Sequence, residues 1–499
     1  MVSSYVKVLG AACFFLWGGS CTPGWAQETS SVVVSKSSSQ GSFSTYKGVK
    51  SGVSELEGDN AIEAQDYWAS GWGQDAFNNW FEQKKMLGDW GGLRSELENE
   101  GWTFQGRYLS EFAGNPVGGR SKGLRYAHEF ALGMDVDLVK VLGEQYGGIF
   151  HYLMTERAGL SLTQQSLGAL ESVQEIYGAG QTVRLVRLSW ENHWDDHFAT
   201  EMGWINTEND FANSTSYWGL SLYCQFQNNA ICGMPQSLAA NSGYSWYPSV
   251  HPGMWMKFYP GSDHSYEFAT GVYSVDPSIG NAHKGFKLGL QDTTGAIIPF
   301  QLAWHRGDAD DLGEYTGNYR VGFYWETSEV KTVTNQAGRF QPGSIRLVDL
   351  PQDMVRGRYG GWLLADQMIQ RDEEKSSRGT VVFGNLVWGD HRTAIFPFFA
   401  TFGVVRKGTF DSRPNDTVNL GGYIATINNK IGRYVAFLRS VGQAGARDAS
   451  GEYAVEFNYG YQASPWMTLR PGMQYVWHPG GTSYTKNALV FTFQTGMVF

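Results

Sequence analysis

EYAVEFNYGYQ, residues 452–462, places Tyr453, Val455, Phe457, Tyr459 and Tyr461 on one face and Glu452, Ala454, Glu456, Asn458 and Gly460 on the other. A period of two marks a β-strand, whose successive side chains point to opposite sides of the sheet. Two further stretches repeat the pattern. In NYRVGFYWET, 318–327, Tyr319, Val321, Phe323 and Trp325 alternate with Arg320, Gly322, Tyr324 and Glu326. In RYAHEFALGMDVDL, 125–138, Phe130, Leu132, Met134, Val136 and Leu138 alternate with Glu129, Ala131, Gly133, Asp135 and Asp137. A half-buried strand of a soluble sheet also alternates. Here, however, the segments run to about ten residues or more, longer than ordinary strands. Their ends carry Trp, Tyr and Phe, as the interfacial girdles of a membrane barrel require.

Outward from these stretches, sixteen such segments can be traced, at about 102–114, 125–138, 147–157, 182–191, 198–205, 253–260, 265–274, 297–306, 317–327, 359–371, 378–388, 394–407, 418–428, 452–463, 466–477 and 487–499. Connections after odd-numbered segments are mostly long and those after even-numbered ones short, the longest spanning about 47 residues at 206–252. The expected fold is all-β: a sixteen-stranded antiparallel transmembrane β-barrel with a short N-terminal helical segment. Closure leaves no strand edge unpaired in lipid. Past the first twenty or so residues no apolar run reaches the roughly 18 positions of a membrane helix, which excludes a helical membrane protein. An aromatic content of 15% excludes wholesale disorder. The net charge of −10 argues against a nucleic-acid partner.

Ahead of the barrel, residues 1–26 read as a signal peptide, with Lys7, the apolar run VLGAACFFLW at 8–17 and the small-x-small site Gly24-Trp25-Ala26. Residues 27–74 read as a flexible Ser/Gly-rich extension, 75–101 as a periplasmic helical segment carrying Trp80, Phe81, Leu93 and Leu97, and 102–499 as the barrel. The mature chain keeps two cysteines, Cys224 and Cys232. In an exported protein they are a candidate disulfide.

These segments resemble the carbohydrate-selective outer-membrane porins of Gram-negative bacteria, the OprB-type family. The resemblance rests on GDWGGLRSELENEGW at 88–102, GNPVGG at 114–119, GLRYAHEFALGMDVDL at 123–138, TVRLVRLSWENHW at 182–194 and YGGWLLADQMIQR at 359–371. SPWMTLRPGMQYVWHPGG at 464–481 and ALVFTFQTGMVF at 488–499 complete it. It implies a porin of the bacterial outer membrane that passes monosaccharides and similar small solutes. It also marks Phe499 as the signal read by the barrel-assembly machinery. The other partners expected are outer-membrane lipid and lipopolysaccharide, with a homotrimer left open.

Enzyme-like strings fail on context. GRSKG at 119–123 is followed by a strand where a nucleophile elbow needs a helix. HWDDH at 193–197 reads as a solvated turn, and GDADDLGEY at 307–315 as a polar turn with Leu312 at a ligand position of a calcium loop. No cofactor and no metal is expected. The chemistry of a porin is its inner wall, and alternation points Arg107, Glu111, Arg125, Glu129, Asp135, Arg157, Arg187, Glu191, Arg320, Glu326, Asp366, Arg470 and Gln474 inward as channel-lining candidates. Mixed arginines and carboxylates suit sugar hydroxyls. On the same alternation, Glu456→Lys should fold normally and change conductance. The aromatic connection 206–252 is expected to pack into the barrel and face Arg107, Glu111 and Glu129; an external cap is the alternative. A plugged structural or adhesion barrel and, less favoured, an outer-membrane barrel enzyme are the competing functions.

Overall fold

Alternation builds the wall. The computed structural model describes residues 79–499 apart from 219, 233–235, 262, 308–314, 334–352, 373–377 and 434–449; the expectations for 1–26 and 27–74, and most of GDADDLGEY, lie outside the described residues. Sixteen described strands close into one antiparallel barrel. In chain order these are β1 (Trp102–Gly119), β2 (Gly123–Asp137), β3 (Ile149–Gly159), β4 (Thr182–His193), β5 (Phe198–Ile205) and β6 (His251–Phe258). Next come β7 (Tyr266–Val275), β8 (Gly295–Arg306), β9 (Gly317–Lys331), β10 (Met354–Arg371) and β11 (Gly379–Gly389). The wall ends with β12 (Phe398–Lys407), β13 (Thr417–Thr426), β14 (Gly451–Ser464), β15 (Met467–Trp477) and β16 (Lys486–Val498). Each strand pairs with its neighbours in sequence, and β16 returns to β1, with Glu111 opposite Gln494 and Arg107 opposite Val498. Closure thereby gives every strand of the wall a paired neighbour on both sides, the condition for strands to cross lipid.

Faces follow the sequence pattern. On β14, Phe457 is 47% exposed, level with Leu420 on β13 and Met473 on β15, which are also exposed. Between them Glu456 and Asn458 point inward and are fully buried. This outer row of apolar side chains is the lipid belt.

The helical segment expected over 75–101 appears, in its described part, as one helical turn at 79–82 and helix α1 (Leu93–Asn99). The segment docks at the short-turn end of the barrel. Trp80 and Phe81 pack on Trp466 with ring centroids 4.6 and 5.9 Å away, and the Met86 amide donates to the Val498 carbonyl at 2.8 Å. The terminal Phe499 lies beside Phe130, 5.4 Å between centroids, and over Gly106. A Cβ at Gly106 would stand 3.0 Å from the Phe499 ring, so glycine there makes room for the aromatic terminus.

Candidate functional site

Two long connections, 160–181 and 206–250, fold into the lumen and bury their own side chains. The second follows the inner wall around the barrel. The Phe211 ring meets Tyr273 on β7 at 6.2 Å, and Tyr223 and Phe226 meet Phe383 on β11 at 4.6 and 5.8 Å. Phe226 lies against Gly421, where an added Cβ would come within 2.9 Å of its ring. Tyr244 meets Trp362 on β10 at 6.4 Å. Hydroxyl and amide groups find wall partners too: Tyr217 donates to Asp366 Oδ1 at 2.6 Å, and the Ala212 amide to Gln301 Oε1 at 3.0 Å. The loop is fixed without appeal to the disulfide expected of Cys224 and Cys232: both are buried cysteines, and the wall contacts alone account for its seat.

That seat changes the meaning of half the lining candidates. All point inward, but several hold loops rather than face the channel. Arg320 donates to the Asn213 carbonyl at 2.7 Å and to Thr215 at 3.0 Å. Arg470 donates to the Cys224 carbonyl at 3.1 Å and to Gln225 Oε1 at 2.9 Å. Gln474 accepts from Asn228 at 2.9 Å and donates to the Val173 carbonyl at 3.1 Å. Glu326 accepts the Gly243 amide at 2.7 Å while Arg358 forks onto both its oxygens. Glu111 is fully buried, accepts from Gln494 at 2.9 Å, and lends its carbonyl to Gln174. Glu456 accepts the amides of Gln227 and Asn228, each at 2.8 Å. The expectation that Glu456→Lys folds normally is therefore corrected, because a lysine would put a further donor where two buried backbone amides and the Asn458 side chain need an acceptor.

The opposite wall, β1 to β5, carries the charges that loop 206–250 leaves largely to one another. Glu129 bridges two arginines, taking Arg107 on one oxygen at 2.9 Å and Arg157 on the other at 3.2 Å. The Arg157 guanidinium lies 5.1 Å from the Tyr247 ring, a cation–π contact across the lumen from the long loop. The loop thus meets the expected wall at Tyr247, while the greater part of it lies on the far side, β7 to β15. Nearer the short-turn end, Arg187 pairs with Glu191 at 2.9 Å and Glu201 at 2.7 Å. His151 sits between Asp135 at 2.6 Å and Glu191 at 3.3 Å. Arg125 stands apart at the long-loop rim, donating to Gln165 at 2.5 Å.

Arg184 and Glu201 are inward residues absent from the candidate set. Arg184 donates to the carbonyls of Ile279, Gly280 and Asn281 at 2.8–2.9 Å, and so ties connection 276–294 to the wall. Strict alternation allows only one of Arg184 and Arg187 to face inward. The register slips by one between the partners of Leu153 and Met154, and this irregularity turns both inward. Within the loops, burial beside the Glu452 carboxylate pushes the Glu171 carboxyl up to about 8. HWDDH forms the turn between β4 and β5, with the His197 ring nitrogen 2.8 Å from the Tyr259 carbonyl. GRSKG forms the tip between β1 and β2.

A family model for carbohydrate-selective porins, the OprB family, matches residues 121–499. Porin B of Pseudomonas aeruginosa is 32% identical over 434 residues, covering 83% of this chain and 91% of that protein. The high-pH structure of Pseudomonas putida OprB superposes with a TM-score of 0.75 at 29% identity, over 84% of this chain and 99% of that one. The low-pH structure of the same protein gives 0.52 at 25% identity over the same shares.

Proposed function

The chain belongs to the OprB family of carbohydrate-selective porins, and from that premise we propose that it passes monosaccharides and related small solutes passively through the part of the lumen its inner loops leave open. It is an outer-membrane porin. The observation that carries the finer reading is the Arg107–Glu129–Arg157 ladder with Tyr247 above it. The ladder sets both charge signs side by side, with Glu129 and Arg157 buried and Arg107 alone of the three part-exposed, so a neutral sugar meets less uncompensated charge than a single-sign wall would present. A channel needs no nucleophile or base. Lipid and lipopolysaccharide surround the apolar belt, Phe499 serves the barrel-assembly machinery, and Arg125 stands at the mouth.

Purified protein in proteoliposomes is expected to admit monosaccharides faster than disaccharides. Sugar flux no higher than that of protein-free vesicles would overturn this reading and favour the plugged barrel, in which the inner loops seal the lumen completely.

A further inference from the structure

Three inward glutamates do not face the channel. Glu452 accepts the amides of Leu170 and Glu171 at 2.7 and 3.0 Å, the Gly480 amide at 2.7 Å and the Tyr423 hydroxyl at 2.8 Å. Glu456, four residues on along β14, takes the Gln227 and Asn228 amides on its two oxygens, with Asn458 donating at 2.8 Å. Glu326 on β9 takes the Gly243 amide. All three are fully buried. The amides they accept come from stretches of loop that pair with no strand of the wall. A buried backbone N–H without an acceptor is costly, and a carboxylate that takes two such donors is the strong, charge-assisted form of the bond.

We infer that Glu326, Glu452 and Glu456 are positioning residues that set the open cross-section of the channel, by clamping the backbone of both inner loops against the β9–β14 wall and so deciding which sugars pass. The inference rests on the porin reading above and deepens it. The clamped points, 170–171, 227–228 and 243, lie on both loops, so each carboxylate fixes its own stretch of the edge of the opening. The part-exposed charges of β1 to β5, Arg107 and Glu191 among them, then supply the chemistry of the lining, and the three carboxylates its width.

The test compares wild type with Glu456→Ala and with Glu456→Gln, which keeps the volume and one acceptor but turns an NH2 toward an amide. Readouts are the heat-modifiable band, protease sensitivity of segment 206–250 in the assembled channel, single-channel conductance, and the ratio of monosaccharide to disaccharide flux. Assembled barrel with a protease-sensitive loop, raised conductance and loss of sugar discrimination is the expected result. Wild-type conductance and discrimination in either assembled variant would overturn the inference. So would failure of both variants to assemble, because the carboxylate would then serve the barrel and not the loop. If wild type itself passes no sugar, the porin reading fails instead. Glu452→Ala, which releases the other loop at 170–171, is expected to widen the channel in the same direction.

Discussion

Phe457→Lys tests the orientation of the whole wall. Phe457 lies at the middle of the fourteen-residue strand β14, 47% exposed, with Leu420 and Met473 level with it on either side. A lysine there must hold its ammonium in hydrocarbon or drag water in, at a cost of about 2–4 kcal/mol at the bilayer midplane. Tyr461, on the same face but near the short-turn end, has the Arg413 guanidinium 4.1 Å from its ring centroid, which marks the headgroup level. Tyr461→Lys is expected to cost about 0–1 kcal/mol, because the side chain can reach water. Phe457→Ala serves as control for the lost apolar area, so that the difference between the alanine and lysine variants isolates the charge. The assay is urea unfolding of the barrel in lipid vesicles, followed by tryptophan fluorescence. Equal losses at 457 and 461, or a lysine at 457 no worse than alanine, would refute the reasoning and place this face against protein instead of lipid.

Two further outcomes are expected. Gly106→Leu should displace the Phe499 ring that an added Cβ approaches to 3.0 Å; together with Phe499→Asp it should lower the heat-modifiable fraction and leave protein in the periplasm, and unchanged assembly in both would dismiss the terminal aromatic as a signal. Glu171, raised to about 8 by burial and the Glu452 carboxylate, keeps its proton in the docked loop where a solvated carboxyl has lost it. Docking is therefore strongest below the ordinary carboxylate range and weakens as pH rises through about 8. Conductance should climb across that window, and Glu171→Gln should flatten the profile; an identical climb in the variant would assign it to another group.

The wall was legible because lipid forces it to be. Where one face must be apolar and the other must not, a period of two is imposed on every strand, and the sixteen segments read from that period match the sixteen strands to within a few residues. The aromatic excess of 206–252 also announced a loop with something to bury, and Phe211, Tyr217, Tyr223, Phe226, Tyr244 and Tyr247 are all buried. Arg184 was hidden for a local reason. A one-residue slip in pairing resets the phase of β4, and no composition signal marks it.

The lining candidates show where periodicity ends. Alternation gives the direction of a side chain and nothing about what covers it. Glu129 and Glu456 are indistinguishable on that measure, since each is an inward carboxylate followed by a phenylalanine on the other face, Phe130 and Phe457. Glu129 is matched to Arg107 and Arg157 on neighbouring strands, a pairing set by the sheet register. Glu456 is matched to two backbone amides more than two hundred residues earlier, a pairing set by the path of a loop with no period at all. The inner face is thus divided in function. The β1–β5 side pairs most of its charges with one another, Arg184 excepted, whereas the β7–β15 side uses its polar groups to hold loops in place. A count of inward charges therefore overstates the polarity a permeating sugar meets, and mutations on the two sides should change different properties: the charge of the lining on one, the width of the opening on the other.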